Sequence, residues 1–170
     1  MVKKKNEVKI DTDVVNWLDE PTVISNTKWL TGTGNFNGNI LFVLDCPTEN
    51  SVRQGQCLTG DDGKLLRSLA FEQSIDLKQV YYTYAVKFKP AKKGATAKEI
   101  KTCNPFLKEE IRRMKPKLIV CFGKVAFEAT MHKKCAISDY RGSVLQYDEP
   151  ELTNIQVFPT FSPNYILHNP

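Results

Sequence analysis

The chain has 170 residues, 24 Lys+Arg against 19 Asp+Glu for a formal net charge of +5, 41% hydrophobic and 25% charged positions. That length suits one domain able to bury a core without staples, and the balance excludes a largely disordered chain. No apolar stretch approaches the roughly 20 residues of a membrane-spanning helix, and the basic start has no apolar run behind it, so it does not read as a secretory signal. The five cysteines, 46, 57, 103, 121 and 135, form an odd set without a CxxC pair. They read as reduced thiols of a cytosolic protein, not as a disulfide framework or a zinc site.

In chain order, residues 1–38 are polar and irregular, with an apolar patch at Val14, Val15, Trp17 and Leu18 that suits one helix. The turn-rich stretch Thr31 to Gly38 leads into Asn39 to Leu44, a continuous apolar run expected of a strand buried on both faces. Its GxG precedes the strand, whereas a dinucleotide fingerprint follows one, so that reading is discarded. After a long loop, Asp61 or Asp62 is expected to cap a helix carrying Leu65, Leu66, Leu69 and Phe71. Val80 to Val86, rich in β-branched and aromatic residues, predicts a second strand. Thr96 to Glu99 is a capping box opening a helix with apolar positions Ile100, Cys103, Phe106, Leu107, Ile111 and Met114, in which Pro105 is expected to kink the axis or shift the start. Lys117 to Phe122 predicts a third buried strand, Gly123 the turn into a helix over 124–132, and Arg141 to Tyr147 and Ile155 to Thr160 two further strands.

Strands alternating with helices imply right-handed crossovers, hence an α/β fold of three layers, α/β/α, around a four-stranded, mainly parallel sheet. Ligands of such sheets bind beyond the carboxyl ends of the strands. The loops after residues 44, 86, 122 and 160 are therefore the candidate site. Positive charge gathers there: residues 87–117 hold eleven Lys/Arg and three acids. That surplus suits a polyanion surface, or a solvated helix face with a basic loop.

The loops carry a resemblance. Leu44-Asp45-Cys46-Pro47-Thr48, with Gly55 to Leu66 behind it, resembles the GEAPG and GxPFxGxxGxLL patterns of the uracil-DNA glycosylase superfamily, closest to its iron–sulfur branch. Val80 to Pro90 is similar to that branch's VYITNVVKCRPP, Glu99 to Leu107 and Lys115 to Ala126 continue the match, and Arg141-Gly142 and Pro159 to Leu167 complete it against PTyHPSYLL. The resemblance covers roughly residues 31–170, which are read as the glycosylase-like domain. Residues 1–30 are read as an N-terminal extension. The chain stops where the family adds a helix, so the domain is expected either to lack it or to continue into a longer polypeptide.

The resemblance implies a pocket that reads a flipped base, with Asp45 at the position of the catalytic acid and Cys46, Pro47, Thr48, Leu58, Tyr84 and Ser162 around it. Three departures bear on chemistry. Leu58 replaces a stacking Phe, Tyr84 an Asn amide that reads uracil, and Ser162 a His that steadies the leaving base. A single hydroxyl cannot make the paired contact of an amide. Two readings stand for each residue. Asp45 is a catalytic acid or a loop cap; Tyr84 stacks on a base or plugs the pocket; Ser162 binds phosphate or shapes its turn. Tyr165, Ile166 and Leu167 are a wedge into the DNA stack or core packing of the last segment.

The iron–sulfur ligands are missing as well: the KCRPP cysteine is Phe88, no Cys precedes residue 46, and of that set only Cys103 remains. No metal and no cofactor is expected. Lys87, Lys89, Lys92, Lys93 and Lys124, with Asn164 and Tyr165 to Leu167, are the expected DNA contacts. The expected function is that of a DNA-binding glycosylase-like domain with little or no base excision, binding DNA weakly and without sequence preference. It would serve replication as a module of a phage-type DNA polymerase, or beside an associated replication protein, in the cytoplasm of the host. The alternatives are an active glycosylase hydrolysing the N-glycosidic bond of uracil or a modified pyrimidine through Asp45, and an adaptor that has left DNA.

Overall fold

The computed structural model describes residues 29–92 and 94–169. The helix expected around residues 14–18, and Lys93, lie outside the described residues. Six strands, β1 (Thr33–Gly34), β2 (Ile40–Leu44), β3 (Val80–Tyr84), β4 (Leu118–Phe122), β5 (Leu145–Gln146) and β6 (Gln156–Thr160), form one sheet in the order β1-β3-β2-β4-β6-β5. The four inner strands are parallel, and the two-residue edges β1 and β5 pair antiparallel. The expected four-stranded parallel sheet is therefore present, with a short antiparallel strand added at each edge. The strand expected over Arg141–Tyr147 shrinks to β5. Residues 141–144 are exposed, and Gly142 sits at φ 82°, which breaks extended pairing.

The alternation of side chains along each strand sorts the core into two layers. Leu41, Val43, Ile119, Cys121 and Val157 face α3 (Ala97–Met114) and α4 (Lys124–Met131), which contribute Leu107, Ile111 and Phe127. Phe42, Leu44, Val120, Phe122 and Tyr84 face the side of α1 (Glu49–Gln54) and α2 (Asp61–Glu72), with Leu58 and Leu66. Fully burying one such aliphatic side chain contributes about 1.5–3 kcal/mol, so both layers are needed.

Neither Asp61 nor Asp62 caps α2; the N-cap is Gly60, and both acids lie in the first turn, where they suit the helix dipole. The helix enters close over the preceding loop. A Cβ on Gly63 would stand 1.8 Å from the Leu58 carbonyl oxygen, so only glycine permits this approach. The capping box of α3 is present: Thr96 Oγ1 accepts the Glu99 N–H, and Glu99 Oε2 accepts the Thr96 N–H at 2.7 Å. Pro105 neither ends the helix nor moves its start. Its ring is exposed, so the carbonyl that loses a helical donor four residues back can turn to water. The chain then closes through α5 (Ile137–Tyr140) and α6 (Pro163–His168).

On the α3 side the sheet buries a polar knot. Lys87 Nζ donates to Glu110 Oε2 at 2.5 Å and to Thr83 Oγ1 at 2.6 Å, and Thr83 in turn donates to Glu110. Lys87 is 3% and Glu110 5% exposed. This is a correction to the sequence reading, which placed Lys87 on the phosphate-facing loop. The chain bends past Tyr84 while Ala85 and Val86 N–H still donate to the Leu44 and Asp45 carbonyls, and it carries Lys87 back over the sheet towards α3.

Candidate nucleic-acid site

Strand register brings the carboxyl ends level: Leu44 lies beside Tyr84 and Phe122, and Phe122 beside Thr160. The loops leaving these ends enclose a cleft of about 590 Å³. It gathers Asp45, Cys46, Pro47, Thr48, Tyr84, Lys89, Lys92, Ser162, Asn164 and Tyr165 of the sequence-derived set, and adds Asp62, His168 and Asn169. Leu58 lies behind the lining in the α2-side core, 5% exposed, and Ile166 and Leu167 stand outside the lining at 37% and 42% exposure. Lys124 lines an adjoining hollow that shares Asp45, Ser162 and Tyr165.

Asp45 sits where β2 ends against the start of α4. Its Oδ1 accepts the Ala126 N–H at 2.8 Å, so it supplies from a distant loop the side-chain cap that Gly123, the N-cap residue, cannot offer. Gly123 is required here. It holds φ 108°, and a Cβ would stand 2.2 Å from Asp45 Oδ2. Burial pushes the Asp45 carboxyl up to about 6 against the pull of the Ala126 and Val125 N–H groups, and the charge of Glu128 adds to the rise. Cys46 beside it is a thiol pushed up to about 11 by burial, then by Asp45 and Glu99.

Tyr84 points from the end of β3 into α1 and is 2% exposed. Its hydroxyl donates to Ser51 Oγ at 3.0 Å and accepts the Leu58 N–H at 3.4 Å. Thr48 continues the chain by donating to Ser51 Oγ at 3.2 Å. Burial raises the phenol further from ionisation. The ring and its hydrogen bonds take the volume that an amide would leave open. Ser51 escaped the sequence reading because a serine inside a polar helix carries no signal of its own.

On the rim, Lys89 is half exposed and paired with Glu49 at 2.5 Å, and Lys92 is exposed. Ser162 is the N-cap of α6, its Oγ accepting the Tyr165 N–H at 3.2 Å. Tyr165, Ile166 and Leu167 therefore ride an exposed helix and not the core.

The residues at the position of the family's iron–sulfur cluster do not fit one. Cys103 is buried and accepts the Lys87 N–H through Sγ at 3.4 Å, and burial raises its thiol, which disfavours the thiolate a cluster needs. Phe88, 2% exposed, packs with Cys103, and Trp29 bridges the rings of Phe88 and Phe106 at centroid distances of 5.6 and 5.1 Å. Aromatic packing fills that corner. Among the described residues no group of three or more His, Cys, Asp or Glu is placed to hold a metal ion.

The uracil DNA glycosylase superfamily model matches residues 31–170, the span that builds the sheet and the cleft. The chain belongs to this superfamily. Similar proteins include the type-4 uracil-DNA glycosylase of Thermotoga maritima, 32% identical over 151 residues that cover 88% of this chain and 77% of that one. The type-4 enzyme of Sulfurisphaera tokodaii is 33% identical, over 85% of this chain and 68% of its own. A DNA polymerase of Bacillus phage SP01 is 31% identical over 147 residues, 85% of this chain but 15% of the polymerase. Superfamily membership brings the sheet, the cleft at its carboxyl edge and DNA as the ligand class. No described helix is long and apolar enough to cross a membrane.

Proposed function

We propose that this superfamily member binds DNA without sequence preference and excises little or no base. One observation carries the reading: the buried Tyr84 ring, tied to Ser51 and Leu58, fills the place of the base-reading amide. A flipped base needs a vacant pocket and a hydrogen-bonding edge to read. Tyr84 offers neither, and Ser162 spends its hydroxyl on capping α6. Loss of a single donor aimed at developing charge costs about 10²–10³ in rate, and here two groups differ.

Affinity then comes from charge, through Lys89 and Lys92 on one lip and Lys124 on the other. Residues 31–170 are the working unit and residues 1–30 an extension. The likeness to a segment of a phage polymerase supports a replication role, as a module of a polymerase or beside a replication protein in the host cytoplasm. A second reading, an active glycosylase, is favoured by Asp45 alone: a carboxyl near 6 at the cleft floor suits proton transfer near neutral pH.

The test is a duplex carrying one uracil, incubated with the full chain and then treated with alkali. We expect the strand to stay intact while a gel shift shows binding that weakens with salt. Alkali-labile product that disappears in Asp45→Asn would establish the second reading. Absence of both product and shift would leave the adaptor.

A further inference from the structure

Beyond Asp45 the cleft opens into a hollow of about 470 Å³ that shares Asp45, Ser162 and Tyr165 with it. Tyr165 thus stands on the boundary between two concave surfaces. Its ring packs on Phe161, centroids 4.8 Å apart and planes tilted by 36°. The Arg141 guanidinium lies 4.8 Å over the same Phe161 ring. Tyr165 remains 49% exposed after this packing, so a large part of its surface faces solvent at the edge of the cleft. The support is firm on both sides. Ser162 takes the Tyr165 N–H, and the Gly142 N–H donates to the Pro159 carbonyl, anchoring the Arg141 turn to β6. Across the hollow, Lys124 is 59% exposed and its nearest carboxylate, Glu128, is 3.7 Å away. Such a loose exposed pair holds the ammonium weakly.

A supported aromatic ring backed by a cation attracts another π-face. Inside a duplex each base already has both faces covered by its neighbours, so the ring has no partner there without unstacking. An unpaired base offers a free face, whatever its identity, and its phosphate can reach a lysine a few ångströms aside. Tyr84, buried with its hydroxyl tied to Ser51 and Leu58, offers a base in the cleft no free edge to pair with, which leaves the surface ring as the place to hold it.

We propose that Tyr165, backed by Phe161 and Arg141, is a stacking platform for an unpaired base of single-stranded DNA, with Lys124 beside it for the phosphate. This rests on the DNA-binding reading above and names the strand form that the site takes.

Fluorescence anisotropy of the full chain with three labelled probes tests it: an oligothymidylate of about 12 nucleotides, the same backbone with abasic sites throughout, and a duplex of equal length. The oligothymidylate should bind more tightly than the abasic strand by about 5- to 160-fold, the range for one base on one ring. Tyr165→Ala should remove that difference, while Tyr165→Phe should keep it. Oligothymidylate and abasic strands that bind alike, or Tyr165→Ala without effect on oligothymidylate, would overturn the platform while duplex binding left the broader reading standing. No binding of any of the three would overturn both.

Discussion

Replacing Asp45 by Asn should stabilise the protein, and by an amount that grows with pH. Burial, as the main cause, pushes the carboxyl up to about 6 in the folded chain from an ordinary value of 3.8. A carboxyl raised in the fold contributes stability that is complete below its unfolded value and is lost as pH rises through the folded value. A displacement of about 2 pH units corresponds to about 3 kcal/mol once pH exceeds both values, and to only about 1 kcal/mol near pH 4.5. Asparagine keeps an oxygen to accept the Ala126 N–H and carries no charge, so it removes this dependence. Urea denaturation of both proteins at pH 4.5 and pH 8 should therefore show the variant's advantage rising by about 2 kcal/mol between them. For a chain of this size the pH 8 gain is a rise of about 6–12 °C in Tm. A variant less stable than wild type at pH 8, with the deficit shrinking in acid, would refute the reasoning. It would mean that the N-terminus of α4 stabilises the anion by more than burial penalises it. Stability withheld by an ionised buried carboxylate is also what a working site would retain, so the uracil assay on the same pair of proteins separates a cap from a catalyst.

Gel shifts of duplex DNA against salt should give a slope of log K on log salt near −3, for about three neutralised phosphates, and Lys89→Ala with Lys92→Ala should flatten it. Lys87→Ala should leave that slope alone and instead destabilise the fold by about 3–5 kcal/mol in urea titration, because Glu110 would stay buried without its partner. Glu49→Gln frees Lys89 from its ion pair and should tighten duplex binding at low salt, an effect that disappears in the Lys89→Ala background. Gly123→Ala forces a side chain to φ 108° and into the Asp45 carboxylate, and should lower Tm more than Lys89→Ala or Lys92→Ala.

Much of the chain could be read without coordinates, because its strongest patterns are local. Continuous apolar runs at 40–44 and 118–122 specify strands buried on both faces, the Thr96–Glu99 pair specifies a helix start, and strand-helix alternation specifies parallel crossovers. The ordered motifs likewise place Asp45, Tyr84 and Ser162 at the ends of strands or just beyond them, on one edge of the sheet. Which way a side chain turns is not local. Lys87 belongs to a basic stretch, yet the chain past β3 aims it at Glu110, which is 23 positions away on α3. Tyr84 could stack or plug until Ser51 of α1 and the Leu58 N–H of the loop behind it fixed its hydroxyl. The Arg141–Phe161–Tyr165 stack joins the turn before β5 to the segment after β6, a contact that neither motif announces by itself. Backbone preferences and hydrophobic periodicity are written within a few neighbouring residues, so the sequence determined the elements and their order. The direction of a buried charge or a ring depends on partners brought together only when the sheet closes, and that the tertiary structure decided.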